Sequence, residues 1–318
     1  MKSSKLLAVL LAVCFVSASY AENAKTEDDS VKTTGVTEKE TPVVENGEKM
    51  GSLMVSPVTI LSGGGLKDVA TLSLDFGFTT HNVTRGIVTE DQGLIFQTAA
   101  TLDIKVADRV SVYFGTAMSF QDNNTGAAPG SSMPAWAEAD VFVGVNVNVY
   151  ENLSVGLEYK AYTYPNNSGG DVQEINLLLA YDDAGKWGDA TILARGLQPH
   201  MLFGFEVSGS QAQDGNTGVY MEVGIRPSWS IFEDKVLLAL PVTIGLSLDD
   251  YYGSSSNGYA YTSVGGEVVV PLKCLGSKFG NWKFKAGVEF LFLGNIKALN
   301  VGGDDFEVVG KAGFSVDF

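Results

Sequence analysis

From Val69 onward the chain alternates apolar and polar residues, beginning with Leu72, Leu74, Phe76 and Phe78 set against Thr71, Ser73, Asp75, Gly77 and Thr79. A period of two puts the two sets on opposite faces of a strand. The pattern continues over Leu94 to Val106, Val110 to Phe120, Ala137 to Val149, Leu153 to Tyr164 and Val172 to Tyr181. It then runs over Leu197 to Val207, Val219 to Trp229, Val236 to Leu246, Tyr259 to Leu272, Trp282 to Phe292 and Glu307 to Phe318, which makes about twelve strands in all. Many reach ten residues, and a tilted strand needs about 9 to 11 to cross a bilayer. Long links (Thr80 to Gln92, Gln121 to Pro134, Pro165 to Asp171, Ser208 to Thr217, Ser247 to Gly258, Gly294 to Asp305) alternate with short ones, apart from the long stretch Asp182 to Gly196. Alternating loop lengths are the mark of an up-and-down barrel with short periplasmic turns.

Charged residues fall on the polar rows: eleven acids (Asp75, Asp103, Glu138, Asp140, Glu158, Glu174, Glu206, Glu222, Glu267, Glu289, Asp317) and six bases (Lys105, Lys160, Arg226, Lys283, Lys285, Lys311). A Lys or Arg facing the bilayer midplane would cost roughly 2 to 4 kcal/mol, a physical reason to keep them off the apolar row. A soluble β-sandwich also alternates, so period alone leaves both folds open. The end of the sequence favours the membrane. Gly313, Val316 and Phe318, with Lys311 and Phe314 between or beside them, resemble the signal that bacterial barrel-assembly machinery reads on a last strand.

The first residues set a compartment. Lys2 and Lys5 precede an apolar run from Leu6 to Val16 and a small-residue end at Ser19-Tyr20-Ala21, the form of a secretory signal peptide over residues 1–21. Residues 22–67 are rich in Glu, Lys, Thr and Gly without apolar periodicity and read as a disordered, acidic, low-complexity periplasmic tether. Residues 68–318 are then an all-β, antiparallel, transmembrane barrel of the bacterial outer membrane, in contact with its lipid. Removing the signal takes away two lysines and no acids, so the net charge moves from −16 to −18. Such acidity argues against binding nucleic acid, which needs a basic footprint. Cys274 is the one mature thiol, which excludes an internal disulfide framework.

The stretch Phe78 to Ile87 (Phe-Thr-Thr-His-Asn-Val-Thr-Arg-Gly-Ile), followed by Thr89, Asp91 and Gln97, resembles the opening of TorF-type porins. Glu138-Ala139-Asp140 with Gly144, and Tyr162-Thr163-Tyr164-Pro165 with Glu174, extend the likeness over roughly Val69 to Tyr181. The chain departs from that pattern at His81-Asn82-Val83, where the family shows an aromatic after Asn. The resemblance implies an outer-membrane barrel with a porin role.

Chemistry offers little else. His81 and His200 are the two histidines, too few for a multi-histidine metal site, and no cofactor motif or catalytic constellation is present, so the chain does not read as an enzyme. The polar rows carry more acid than base, so a water-filled lumen would favour cations. The expected selectivity residues are Arg85, Asp103, Glu138, Asp140, Glu158, Lys160, Glu174, Glu222 and Arg226. Arg85-Gly86 reads either as a conformational device, with Arg85 reaching a lumen carboxylate such as Glu138 or Asp140, or as part of a constriction. Tyr251 and Tyr252 read as rim packing or ligand contacts. The leading expectation is a porin-like channel for small hydrophilic, cationic solutes. A closed barrel that displays loops or anchors the envelope is the alternative, since Lys160, Tyr162, Tyr164, Lys283 and Lys285 can interlock with carboxylates and fill a small lumen. A hydrolase using His81 or His200 ranks third. Assembly into identical copies stays open.

Overall fold

The computed structural model describes residues 69–122, 127–188, 193–232, 235–275 and 279–318. The expected signal peptide and tether lie outside them. The strands are β1 (Ala70–Thr79), β2 (Asn82–Thr84), β3 (Ile87–Glu90), β4 (Ile95–Ala107), β5 (Val110–Gln121), β6 (Trp136–Tyr150), β7 (Leu153–Thr163) and β8 (Val172–Tyr181), followed by β9 (His200–Ser208), β10 (Val219–Ile225), β11 (Ser228–Ile231), β12 (Val236–Ala239), β13 (Val242–Asp249), β14 (Gly258–Pro271), β15 (Asn281–Leu293) and β16 (Phe306–Asp317). Each wall strand pairs antiparallel with its sequence neighbours, and β1 pairs with β16 from Ser73↔Asp317 to Thr79↔Lys311, so the sheet has no seam. Among the described residues the result is a closed antiparallel barrel of twelve wall strands, with β10 and β11 forming one broken strand and β12 and β13 another.

The alternation seen in the sequence becomes inside and outside. Val141, Val143, Leu157, Tyr159, Ile175, Phe205, Ile244, Val264, Phe290, Val308 and Phe314 point outward and are exposed, while Glu138, Asp140, Glu158, Glu174, Glu222, Glu289 and Lys311 point inward and are buried. A protein in water does not leave a continuous apolar belt uncovered, and hydrocarbon is the solvent that suits this one. Closure satisfies the backbone groups that an open sheet edge would strand in lipid.

Three sequence expectations need correction. The strand expected at Leu197 begins at His200, because Gln198 has φ 50° and Pro199 follows it. The strands drawn through Arg226-Pro227 and Leu240-Pro241 are interrupted there. Proline has no N–H to donate to a ladder, but both carbonyls still accept, from Leu240 N at 3.0 Å and from Gly265 N at 2.8 Å. Finally, the first long link is not simply a loop. It contains the β2 and β3 hairpin, paired through Val83↔Val88 and Thr84↔Ile87.

Candidate functional site

The hairpin folds inward. Two residues, Arg85 and Gly86, connect its strands with φ 50° and 81°, the doubly positive geometry that a tight hairpin turn of this length favours. Gly86 is held to that role twice: a Cβ there would lie 2.4 Å from the Tyr261 ring and 2.9 Å from Ile296 Cδ1. Val83, Ile87 and Val88 are buried in one apolar cluster with Leu178, Leu202, Tyr220, Tyr261, Leu291, Leu293 and Val309 from the inner wall. Burying each such aliphatic side chain contributes roughly 1.5 to 3 kcal/mol.

Other loops close over it. Asn300, in the link between β15 and β16, accepts from Val88 N (2.9 Å) and donates to Gly86 O (3.3 Å). Tyr252 Oη donates to Arg85 O at 2.5 Å. At the hairpin root Asn82 Nδ2 donates to Glu138 Oε2 (3.3 Å), and Gln97 Nε2 donates to Asn82 Oδ1 (2.9 Å). Tyr251 and Tyr252 are therefore not rim residues. They are buried inside the barrel, stacked edge to face at 4.9 Å.

At the tip, Arg85 Nη2 donates to Glu174 Oε2 (2.5 Å) and to Asn176 Oδ1 (2.8 Å), with Tyr162 Oη at 3.5 Å. The guanidinium lies over the Tyr220 ring, 4.4 Å from its centroid, and 5.7 Å from that of Tyr251. Tyr251 Oη donates to the other carboxylate oxygen of Glu174 at 2.6 Å. Burial by itself would lower the pKa of Arg85, but the Glu174 carboxylate raises it well above the ordinary value, so the group stays charged. Burial pushes the Tyr251 and Tyr252 hydroxyls up, so both remain neutral donors.

Arg85 does reach a lumen carboxylate, and that carboxylate is Glu174 rather than Glu138 or Asp140. The hairpin crosses the lumen toward β8, and Asp140 is already bound by Lys160 at 2.9 Å. The other expected residues occupy separate stations on the inner wall. Glu138 sits next to Asp140 and Lys160, and Glu158 accepts from Tyr113 Oη (3.1 Å) and Asn176 Nδ2 (3.0 Å). Glu222 accepts from Tyr220 Oη (2.7 Å), and Arg226 pairs with Glu267 (2.5 Å). Asp103 lies toward the short-turn end and accepts from Ser111 Oγ (3.0 Å). Lys283 and Lys285 interlock with Asp317 (2.9 Å) and Asp75 (2.5 Å). His81 pairs with Glu307 at 3.3 Å, and His200 faces inward against Gly224, far along the sheet.

Sequence reasoning missed Asn82, Gln97, Asn176, Tyr220, Tyr261 and Asn300 as parts of the site. A signal existed. Leu178, Leu202, Leu291, Leu293 and Val309 stand at inward positions on rows that also carry Glu174, Glu206, Glu289 and Lys311, and apolar residues facing a lumen require something apolar to cover them.

No family model matches the chain, and no curated protein matches it. Among solved structures it is similar to an outer-membrane channel from Pseudomonas putida F1, with 11% identity over 83% of this chain and 100% of that chain and a TM-score of 0.47. It is similar also to the NanC porin, with 12% identity, 77% and 98% covered and a TM-score of 0.43. LpxR from Salmonella typhimurium has 9% identity, 77% and 99% covered and a TM-score of 0.38. Likenesses this distant pass neither a family nor an activity to this chain, and the barrel stands on its own strand ladder.

Proposed function

We propose that the protein is a porin-like channel of the bacterial outer membrane whose lumen is constricted by the Asn82–Glu90 hairpin. The observation that carries this reading is the division of the barrel into an exposed apolar exterior and an interior lined by ionisable side chains. A structural barrel needs the first feature but not the second. Inward acids outnumber inward bases, so the path favours small hydrophilic cations over anions. Arg85, Asp103, Glu138, Asp140, Glu158, Lys160, Glu174, Glu222 and Arg226 line that path. The likeness of Phe78 to Ile87 to TorF-type porins agrees with it, as does Gly313-x-x-Val316-x-Phe318 as the substrate signal for barrel assembly.

The test is reconstitution in planar bilayers. The expected result is a small cation-preferring current that grows when Arg85→Ala frees the hairpin tip. A folded barrel that stays silent in both forms overturns the reading, and anion preference overturns its charge argument. One observation favours a second reading. The docked hairpin crosses the lumen and ion pairs link side chains of its lining, as in a closed barrel that displays its long loops to partners, and silence in both forms is the result that reading expects.

A further inference from the structure

We propose that the slot around the Arg85 guanidinium is a recognition site for guanidinium-bearing solutes, with Arg85 occupying it as an intramolecular stand-in. This rests on the reading of the barrel interior as a solute path.

The slot belongs to the wall. Tyr162, Glu174, Asn176, Gly204 and Tyr220 lie on β7, β8, β9 and β10, and their orientation owes little to the hairpin. Tyr162 Oη and Tyr251 Oη each donate to Glu174, at 3.3 and 2.6 Å, and Asn176 is fixed by Glu158 at 3.0 Å. Withdrawing the hairpin would therefore leave a buried carboxylate, an amide oxygen and a phenol already converging on one point. An empty carboxylate in that setting is costly, so the wall favours some cation there.

Its shape selects among cations. Acceptors around Nη2 would suit an ammonium as well as a guanidinium, but the rest of the group is flat and uses its flatness. One face lies on the Tyr220 ring. Nη1 lies over Gly204, where a Cβ would come within 2.6 Å of it, and is buried with no hydrogen-bond acceptor among the described residues. A tetrahedral ammonium would satisfy the acceptors and leave the space over Gly204, beside the Tyr220 ring, unfilled. The neighbouring Lys160 shows the contrast: its ammonium sits on Asp140 and over Tyr162, 4.3 Å from the ring centroid, as a point charge outside this slot. A planar cation beside an aromatic ring and over the glycine next to it, with a carboxylate at its edge, is an arrangement that free guanidinium compounds can adopt.

The experiment titrates purified full-length protein in detergent with methylguanidinium and methylammonium by calorimetry. Arg85→Ala, which empties the slot, is expected to bind methylguanidinium at least tenfold more tightly than the wild type does and at least tenfold more tightly than it binds methylammonium. Adding Glu174→Gln should weaken that binding at least tenfold. Arg85→Gln, which keeps a polar side chain at the tip, must give the same ranking and covers a failure of the alanine variant to fold. Equal binding by wild type and both Arg85 variants, equal affinity for the two cations, or indifference to Glu174→Gln overturns the proposal. Bilayer currents from the same preparations separate it from the channel reading: current without binding removes only the recognition site, and binding without current removes only the channel.

Discussion

The two ends of the barrel interior use charge differently. Toward the long loops, Arg85 joins a nine-residue hairpin outside the wall ladder to Glu174 on the wall, with Tyr251, Tyr252 and Asn300 closing over it. Toward the short turns, Lys285 with Asp75, Lys283 with Asp317 and Arg226 with Glu267 join wall to wall. In a wall-to-wall pair the ladder fixes both backbones, so its side chains can change rotamer but its two anchor points cannot separate. A loop-to-wall pair can, since the ladder is complete without the hairpin. The contrast locates the adjustable part of the molecule at one end and its fixed lining at the other.

Cutting the Arg85 to Glu174 pair should therefore have the largest local effect. Leaving one member of a buried pair without its partner costs about 3 kcal/mol at the low end of such cases, and every 1.4 kcal/mol is about tenfold in an equilibrium. Glu174→Gln is expected to speed amide exchange across Asn82–Glu90 roughly 100-fold, while the barrel strands exchange as before. Equal acceleration in β1 and β16 would show that the hairpin is part of the wall's stability after all.

Gly86→Val probes the same end without touching charge. It forces a β-branched residue to positive φ, a cost of about 1 to 3 kcal/mol, and drives a side chain into Tyr261 and Ile296. Hairpin exchange should rise by roughly 30-fold, with the folded barrel still resistant to detergent until heated. Exchange at the wild-type rate would mean that the tip is not seated as described.

At the fixed end the corresponding change should be small. Lys283 and Asp317 retain 15% and 29% of their side-chain exposure, and pairs open to water contribute at most about 1 kcal/mol. Lys283→Met is expected to lower the urea midpoint of the micelle-bound barrel only slightly and to leave hairpin exchange unchanged. A hairpin response would join the two ends and dissolve the distinction.

Much of the fixed part was legible in the sequence because a strand with lipid on one side and ions on the other obeys one strict rule. Glu138, Glu158, Lys285 and Lys311 reveal the inner row by charge alone. The adjustable part was not, because the hairpin strands have three and four residues, too short for a period to register. Its docking depends on partners more than a hundred residues distant, such as Asn300 and Tyr252. Which lumen carboxylate Arg85 meets was not legible for the same reason. Glu138, Asp140 and Glu174 look alike in sequence, and only the path of the hairpin across the lumen distinguishes them. Pro227 and Pro241 interrupt their strands, but the apolar alternation on either side of each continues as if unbroken.

The smallest expected effect concerns the one long link at the short-turn end. Asp183 accepts from Trp187 Nε1 (2.7 Å), Leu197 N (3.0 Å) and Gln198 N (2.8 Å), tying the two sides of the link together. Burial pushes its pKa up, but the three donors prevail and hold it below the ordinary carboxylate value. A carboxylate with a lowered folded pKa contributes stability that is fully present above its unfolded value, near 3.9, and is lost as pH falls through the folded one. Local opening of residues 193–199, followed by amide exchange corrected for intrinsic rates, is thus expected to be constant from neutral pH down to about 4 and to increase below it. Asp183→Asn keeps an acceptor but cannot titrate, so it should open more at neutral pH and show no acid step. An acid step that survives in Asp183→Asn would assign the link's fastening to another group and leave the short-turn end with a second adjustable element.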